Sequence, residues 1–175
     1  LKTNNVYAEV IVVDDGSSDN TLELLQQYQG RIVLLRQENK GVSSATNTGI
    51  ESAKGTFIAL HDSDDVMKPG RLRRQVAFLN SHPEVGGVTS NISIEGRESM
   101  DYLSECGVTF GDKDYIIYNH PLGKMLTKNF MANGASMFRR EVALDIGGFD
   151  VSLSTAQDTD FWLKVSKLYP LGCLK

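Results

Sequence analysis

Short apolar runs rich in β-branched residues alternate with stretches whose apolar residues recur at helical spacing, and that alternation confines the chain to an α/β architecture. Residues 9–13, Glu-Val-Ile-Val-Val, read as a strand buried on both faces. Asp-Asp-Gly-Ser-Ser-Asp-Asn follows, a dense set of turn formers and helix caps in which Asp19 reads as a cap, and then Leu22, Leu25 and Tyr28 at helical spacing. The pattern repeats with a strand over 31–36 and a helix whose apolar face is Val42, Ala45, Gly49, Ile50 and Ala53. It repeats again with a strand over 56–60 and, after Pro69, the stripe Leu72, Val76 and Leu79. A fourth strand is expected from Gly86 to Asn91. Strand-helix alternation of this kind predicts a mostly parallel, Rossmann-like sheet with helices on both faces.

Beyond residue 91 the pattern weakens. Residues 92–120 read as an irregular excursion. A helix over Leu122–Thr127, a strand over Ala135–Phe138, a short helix from Glu141 and a last helix from Gln157, with Phe161, Trp162, Val165 and Leu168 towards the core, complete the expected elements. The 175 residues fit one domain, with residues 1–91 forming a ligand-binding half and 92–175 a second half.

Several function classes are disfavoured. Net charge is -4 and the basic residues are scattered, so no face suits a nucleic acid. No apolar run approaches the roughly 20 residues of a spanning helix and no signal peptide opens the chain, which places the expectation in the cytoplasm. Cys106 and Cys173 are too few for a disulfide framework, and His61, His82 and His120 lack metal-ligand spacing.

The acidic residues are placed where a ligand would bind. Asp14-Asp15 and Asp62-Ser63-Asp64-Asp65 each follow a predicted strand, and in open parallel sheets ligands bind beyond the carboxyl ends of the strands. Clustered carboxylates raise one another's pKa and call for a cation, and oxygen ligands without His or Cys suit Mg²⁺ or Mn²⁺. Neither G-x-G-x-x-G nor G-x-x-x-x-G-K-[ST] occurs, so a diphosphate would be held through metal rather than a glycine loop. Two further acids, Asp158 and Asp160, open the last helix, where one could serve as a general base.

Ile-Val-Val-Asp-Asp-Gly-Ser-Ser-Asp-Asn-Thr, the block from Asn39 to Ile50, His61-Asp62-Ser63-Asp64-Asp65 with Pro69 and Arg71-Leu72, Gly134 to Arg140, Ile146 to Asp150, and Gln157-Asp158 together resemble the family-two glycosyltransferases of the GT-A fold. The resemblance implies an inverting transferase that moves a sugar from a nucleoside-diphosphate donor, with uracil as its base, to an acceptor hydroxyl. It implies donor contacts at Asp14, Asp15, Asn39, Asn47, Asp62 and Asp64, a Mg²⁺ or Mn²⁺ ion at Asp62, Asp64 and Asp65, and Asp158 as the base. A glycan or lipid-linked glycan acceptor, cell-surface polysaccharide synthesis and peripheral association with the inner membrane face, through parts beyond these residues, complete the implied setting.

Three departures stand out: the family's opening strand and helix would lie before Leu1, Thr46 replaces a frequent arginine, and Gln157 replaces a usual glutamate. They motivate one rival, a non-catalytic domain that binds nucleotide sugars; a second rival is a sugar-phosphate nucleotidyltransferase, which also uses an α/β sheet and a metal. The second would want a glycine-rich basic loop upstream.

Overall fold

In the computed structural model, residues 2–3, 6–93 and 101–175 are described. β1 (Lys2–Thr3) and β2 (Val6–Tyr7) form a small antiparallel pair. β3 (Ile11–Asp15) then runs parallel to β4 (Val33–Gln37), joined by α1 (Thr21–Gln26). α2 (Val42–Ser52) packs on β3 and leads to β5 (Phe57–Ala59), α3 (Arg71–Ser81) and β6 (Gly87–Ser90). α4 (Tyr102–Glu105), β7 (Tyr115–Tyr118) and α5 (Leu122–Thr127) follow. A single 3₁₀ turn at Asn133–Ala135 enters β8 (Ser136–Arg139), and α6 (Arg140–Asp145), α7 (Gln157–Leu168) and β9 (Leu171–Leu174) end the chain.

The α/β class holds, and the larger sheet is mixed rather than mostly parallel. Its five strands lie in the order β5-β8-β6-β9-β7. β8 is inserted antiparallel between β5 and β6, β9 runs parallel to β6, and β7 closes the edge antiparallel to β9. The α3 crossover carries β5 and β6 in the same direction; β8 reaches the sheet from the 3₁₀ turn and runs opposite to both, and β9 returns from α7 parallel to β6. Among the described residues, β3 pairs only with β4 and β5 only with β8, so one edge of each has no strand neighbour.

Side chains alternate across this sheet as strand geometry requires. Met137, Val88 and Leu174 face α3 and pack with Phe78, Leu79 and Val85. Phe138, Leu171 and Cys173 face the other way, against Phe161, Trp162 and Val165 of α7. Helices thus cover both faces, and α7 lies across the larger core. Leu168, expected in that core, is 66% exposed, because α7 ends there and the chain turns into β9.

The expected excursion over 92–120 is only partly irregular. Residues 94–100 lie outside the described residues, but α4 and β7 both fall within it. Cys106 and Cys173 are free buried thiols, and burial pushes the Cys173 thiol up to about 12. Among the described residues, no helix is long and apolar enough to cross a membrane.

Candidate active site

Asp14 and Asp15 end β3, and strand alternation sends their side chains to opposite faces. Asp14 points inward and is 4% exposed. Its Oδ1 accepts the Ser17 amide at 3.1 Å, and its Oδ2 lies 3.3 Å from Nε of Arg36 without a well-directed hydrogen bond. Asp14 therefore braces the loop after β3. The expected donor contact from Asp14 does not fit this burial.

Asp15 turns towards the N-terminus of α2. Its Oδ1 accepts Gln37 Nε2 at 2.7 Å and the Lys40 amide at 2.9 Å, while Oδ2 accepts the Gly41 amide at 2.8 Å. The Lys40 amide is the main reason its pKa is lowered; burial opposes the shift, while Gln37, the Gly41 amide and the Lys40 charge assist it. A carboxylate at this helix start is also favoured by the helix dipole. Asp15 lines an open cleft of about 400 Å³ with Gly16, Ser17, Ser18, Asp19 and Asn39. Asp19 accepts the Thr21 amide at 3.0 Å, a turn contact one residue before the N-cap of α1, which is Asn20 rather than the expected Asp19. Three donors leave one acceptor direction on the Asp15 carboxylate for a ligand.

Asn47 is turned elsewhere. Its Oδ1 accepts the Phe149 amide at 2.8 Å and its Nδ2 donates to the Phe149 carbonyl at 2.8 Å. The side chain expected to meet the donor instead holds the turn after α6. Thr46, its neighbour in α2, is half-buried.

The second acidic cluster closes on itself. The Asp65 amide donates to the Asp62 carbonyl at 3.1 Å, a turn whose ends converge while Ser63 and Asp64 occupy its corners. Both end carboxylates lean over Gly134: a Cβ there would fall 2.6 Å from Asp65 Oδ2 and 2.8 Å from Asp62 Oδ2. A side chain there would push both carboxylates aside. Asp62 has its pKa raised, by burial first and then by the charges of Asp65 and Asp64. The expected set of three is thus a converging pair with Asp64 beside it, and among the described residues no three His, Cys, Asp or Glu side chains gather as a metal site.

Arg71 lies beneath this pair. Nη1 donates to the Gly134 carbonyl at 2.7 Å, and Nη2 donates to the Leu60 and Ser136 carbonyls at 2.9 and 3.0 Å. Nε donates to Oε1 of fully buried Gln75 at 3.2 Å, and Gln75 Nε2 donates to the Ala135 carbonyl at 2.7 Å. These bonds join the end of β5, the 3₁₀ turn and the start of β8 into one floor. Burial pulls the Arg71 pKa down to about 10, against the opposing pull of Asp65 and Asp62. Its motif is visible in the sequence; its contacts, and those of Gln75 on an otherwise apolar helix face, are not.

Asp158 is the second residue of α7. Immediately before that helix, Ala156 takes the left-handed conformation with φ 57°, the only non-glycine to do so among the described residues. Asp158 lies near Tyr102, whose hydroxyl donates to the Asn129 carbonyl at 3.3 Å, and Asn129 Nδ2 donates to Thr159 Oγ1 at 3.2 Å. The Tyr102 pKa is raised, chiefly by burial and then by Cys106, with the Asp158 charge adding to it. Among the described residues, Gln157 Oε1 is buried without a hydrogen-bond partner. Asp160 makes an ion pair with Lys164 one turn on, at 2.8 Å.

Comparison with known proteins shows the family. The family model for glycosyl transferase family 2 matches residues 4–147. The chain is 30% identical over 168 residues to a chondroitin synthase of Escherichia coli, covering 93% of this chain and 23% of that protein. It is 29% identical over 174 residues to a hyaluronan synthase of Pasteurella multocida, covering 96% of this chain and 17% of that protein. The chain thus spans about a quarter or less of these two relatives.

Among solved structures, S. aureus TarS 1-349 in complex with UDP-GlcNAc superposes with a TM-score of 0.73 at 22% identity, covering 95% of this chain and 46% of that one. A mannosyltransferase of Pyrobaculum calidifontis in complex with GDP-Man and Mn²⁺ superposes with a TM-score of 0.66 at 22% identity, covering 93% of this chain and 44% of that one. The fold is the Rossmann-like GT-A arrangement, and the chain belongs to glycosyl transferase family 2.

Proposed function

We propose that these residues carry the donor-binding and catalytic centre of an inverting, metal-dependent glycosyltransferase acting in polysaccharide synthesis. The observation that carries the reading is the convergence of Asp62 and Asp65 over Gly134, at the end of β5 and above the Arg71 floor. Two converging carboxylates, of which Asp62 has its pKa raised by burial and then by the charges of Asp65 and Asp64, suit Mg²⁺ or Mn²⁺, which keep part of their shell for substrate phosphates. Asp62 and Asp65 would hold the ion, with Asp64 able to reach it from the turn corner. When bound, the ion would neutralise the leaving diphosphate.

Asp15 and Asn39, at the cleft beyond β3, would take the base and ribose of the donor; UDP bound to TarS supports uracil. Asp158 would accept the proton of the acceptor hydroxyl. That oxygen forms its bond to the anomeric carbon as the bond from carbon to phosphate oxygen breaks, and the nucleoside diphosphate leaves with the electron pair. A single displacement from the opposite face inverts configuration and needs one base. The acceptor class we propose is a glycan or lipid-linked glycan, as the polysaccharide synthases among the relatives suggest, with peripheral association at the inner membrane face. The five-stranded sheet takes β5 and β6 from residues 1–91 and the rest from 92–175, which supports one domain with two functional halves.

Calorimetry with UDP tests the reading. Binding should require Mn²⁺ or Mg²⁺, and Asp64→Ala and Asp65→Ala should each remove that requirement while weakening metal-assisted binding about tenfold or more. Equal UDP affinity with and without EDTA in the parent protein would remove the metal-diphosphate role from these aspartates.

A further inference from the structure

Asn47 holds both the amide and the carbonyl of Phe149, each at 2.8 Å, so one side chain fixes both polar groups of a residue in the other half of the chain. The turn that delivers Phe149 is shaped for this contact: Gly148 has φ 71°, and a Cβ there would lie 2.5 Å from Asn47 Oδ1. The Phe149 ring then stacks on Phe161 with centroids 4.2 Å apart and planes 5° from parallel. Phe149 is 3% exposed and Phe161 fully buried, with Phe161 wedged against Phe138 and Trp162 at 5.0 and 5.2 Å. Phe161 lies three residues after Asp158 on α7, which places the two on neighbouring positions of one helix face.

The other end of the chain of contacts is α2 itself. The amides of Lys40 and Gly41, immediately before α2, hold Asp15, and Asn47 stands in the middle of that eleven-residue helix. From Asp15 through α2, Asn47, Phe149 and Phe161 to α7 there is an unbroken run of directed contacts between the donor cleft and Asp158.

We propose that Asn47, Phe149 and Phe161 form a strut that sets Asp158 relative to the donor-binding cleft, making Asn47 a positioning residue rather than a donor contact. The inference rests on the reading of Asp158 as the base. Small displacements of a reacting group cost turnover steeply, while binding at the far cleft depends on contacts the strut does not make.

The test uses the full-length protein with Asn47→Ala, Phe149→Leu, their double variant, Asp158→Asn and Arg140→Gln. Arg140 ties the same halves by donating to the Ile50 and Glu51 carbonyls at 3.0 Å, away from the strut. Turnover, donor KM, UDP affinity and Tm are measured for each. Asn47→Ala and Phe149→Leu should each lower kcat by about tenfold or more with UDP affinity within about twofold of the parent. The double variant should lose little more than the worse single change. Arg140→Gln should lower Tm with kcat nearly unchanged.

If Asn47→Ala does not fold, Phe149→Leu, which keeps an apolar side chain at that position, gives the reading. UDP affinity lost in step with kcat would return Asn47 to the donor pocket and overturn the strut. So would parental turnover in both single variants, or an equal loss in Arg140→Gln. Parental turnover in Asp158→Asn overturns the base assignment and the strut together; an inactive Asp158→Asn beside fully active strut variants overturns the strut alone.

Discussion

Asp15 and Asp62 both stand near strand ends, and their surroundings push them in opposite directions. Amide donors led by Lys40 keep Asp15 ionised to lower pH than an ordinary carboxyl, so its contribution to stability is present above the unfolded pKa and lost as pH falls through the lowered folded value. Asp62 carries the reverse sign. Burial and the charges of Asp65 and Asp64 make it hold its proton to higher pH than in the unfolded chain. Ionising it therefore costs stability, beginning as pH rises past the unfolded value and in full above the raised folded one. Asp62→Asn should raise Tm by about 1–3 °C at neutral pH in EDTA and leave it unchanged near pH 3, where both forms are neutral. Thermal melts at the two pH values check this, and a lower Tm for the variant at neutral pH would show that the carboxylate is already compensated. The same residue scale limits what sequence can say. Asp14 and Asp15 are adjacent and identical in type, and only the packing of β3 decides which one is buried against Arg36 and which reaches the cleft.

Elements with their own signals were legible. The stripe Leu72, Val76 and Leu79 gave α3, the face ending in Ile50 and Ala53 gave α2, and α5 spans the expected Leu122–Thr127. The strands of the second half were less so. β7 is Tyr-Ile-Ile-Tyr and β9 is Leu-Gly-Cys-Leu, four residues each, too short for periodicity to separate strand from loop without the partner across the sheet. The antiparallel insertion of β8 is likewise a tertiary choice that no local pattern announces. α7 has a feature of its own. Ala156, held at φ 57° before the first turn, carries strain of about 1 kcal/mol that glycine would not. Ala156→Gly should thus raise Tm by about 1–4 °C, measured by calorimetric melting. A fall in Tm would mean that the alanine methyl makes a packing contribution larger than the strain.

At the scale of the molecule, the acidic clusters were visible because both follow strands, whereas the floor beneath one of them was not. Arg71, Gln75 and Gly134 meet only when β5, α3 and the 3₁₀ turn are brought together, across more than sixty residues of chain in the longest of these contacts. Asn47 shows the converse: its motif suggested a ligand contact, and the fold uses it to join the two halves. In the proposed mechanism this joined structure delivers one carboxylate, Asp158, to an acceptor hydroxyl. Asp160 is the internal control, since two residues turn a helix by about 200°, and it is already paired with Lys164. The most direct measurement is steady-state transfer with parallel UDP affinity for Asp158→Asn and Asp160→Asn in the full-length protein. Asp158→Asn should bind UDP as the parent does while transfer falls by roughly 10²–10⁴-fold, with Asp160→Asn losing far less. Near-parental turnover in Asp158→Asn, or a larger loss in Asp160→Asn, would contradict the assignment of the base.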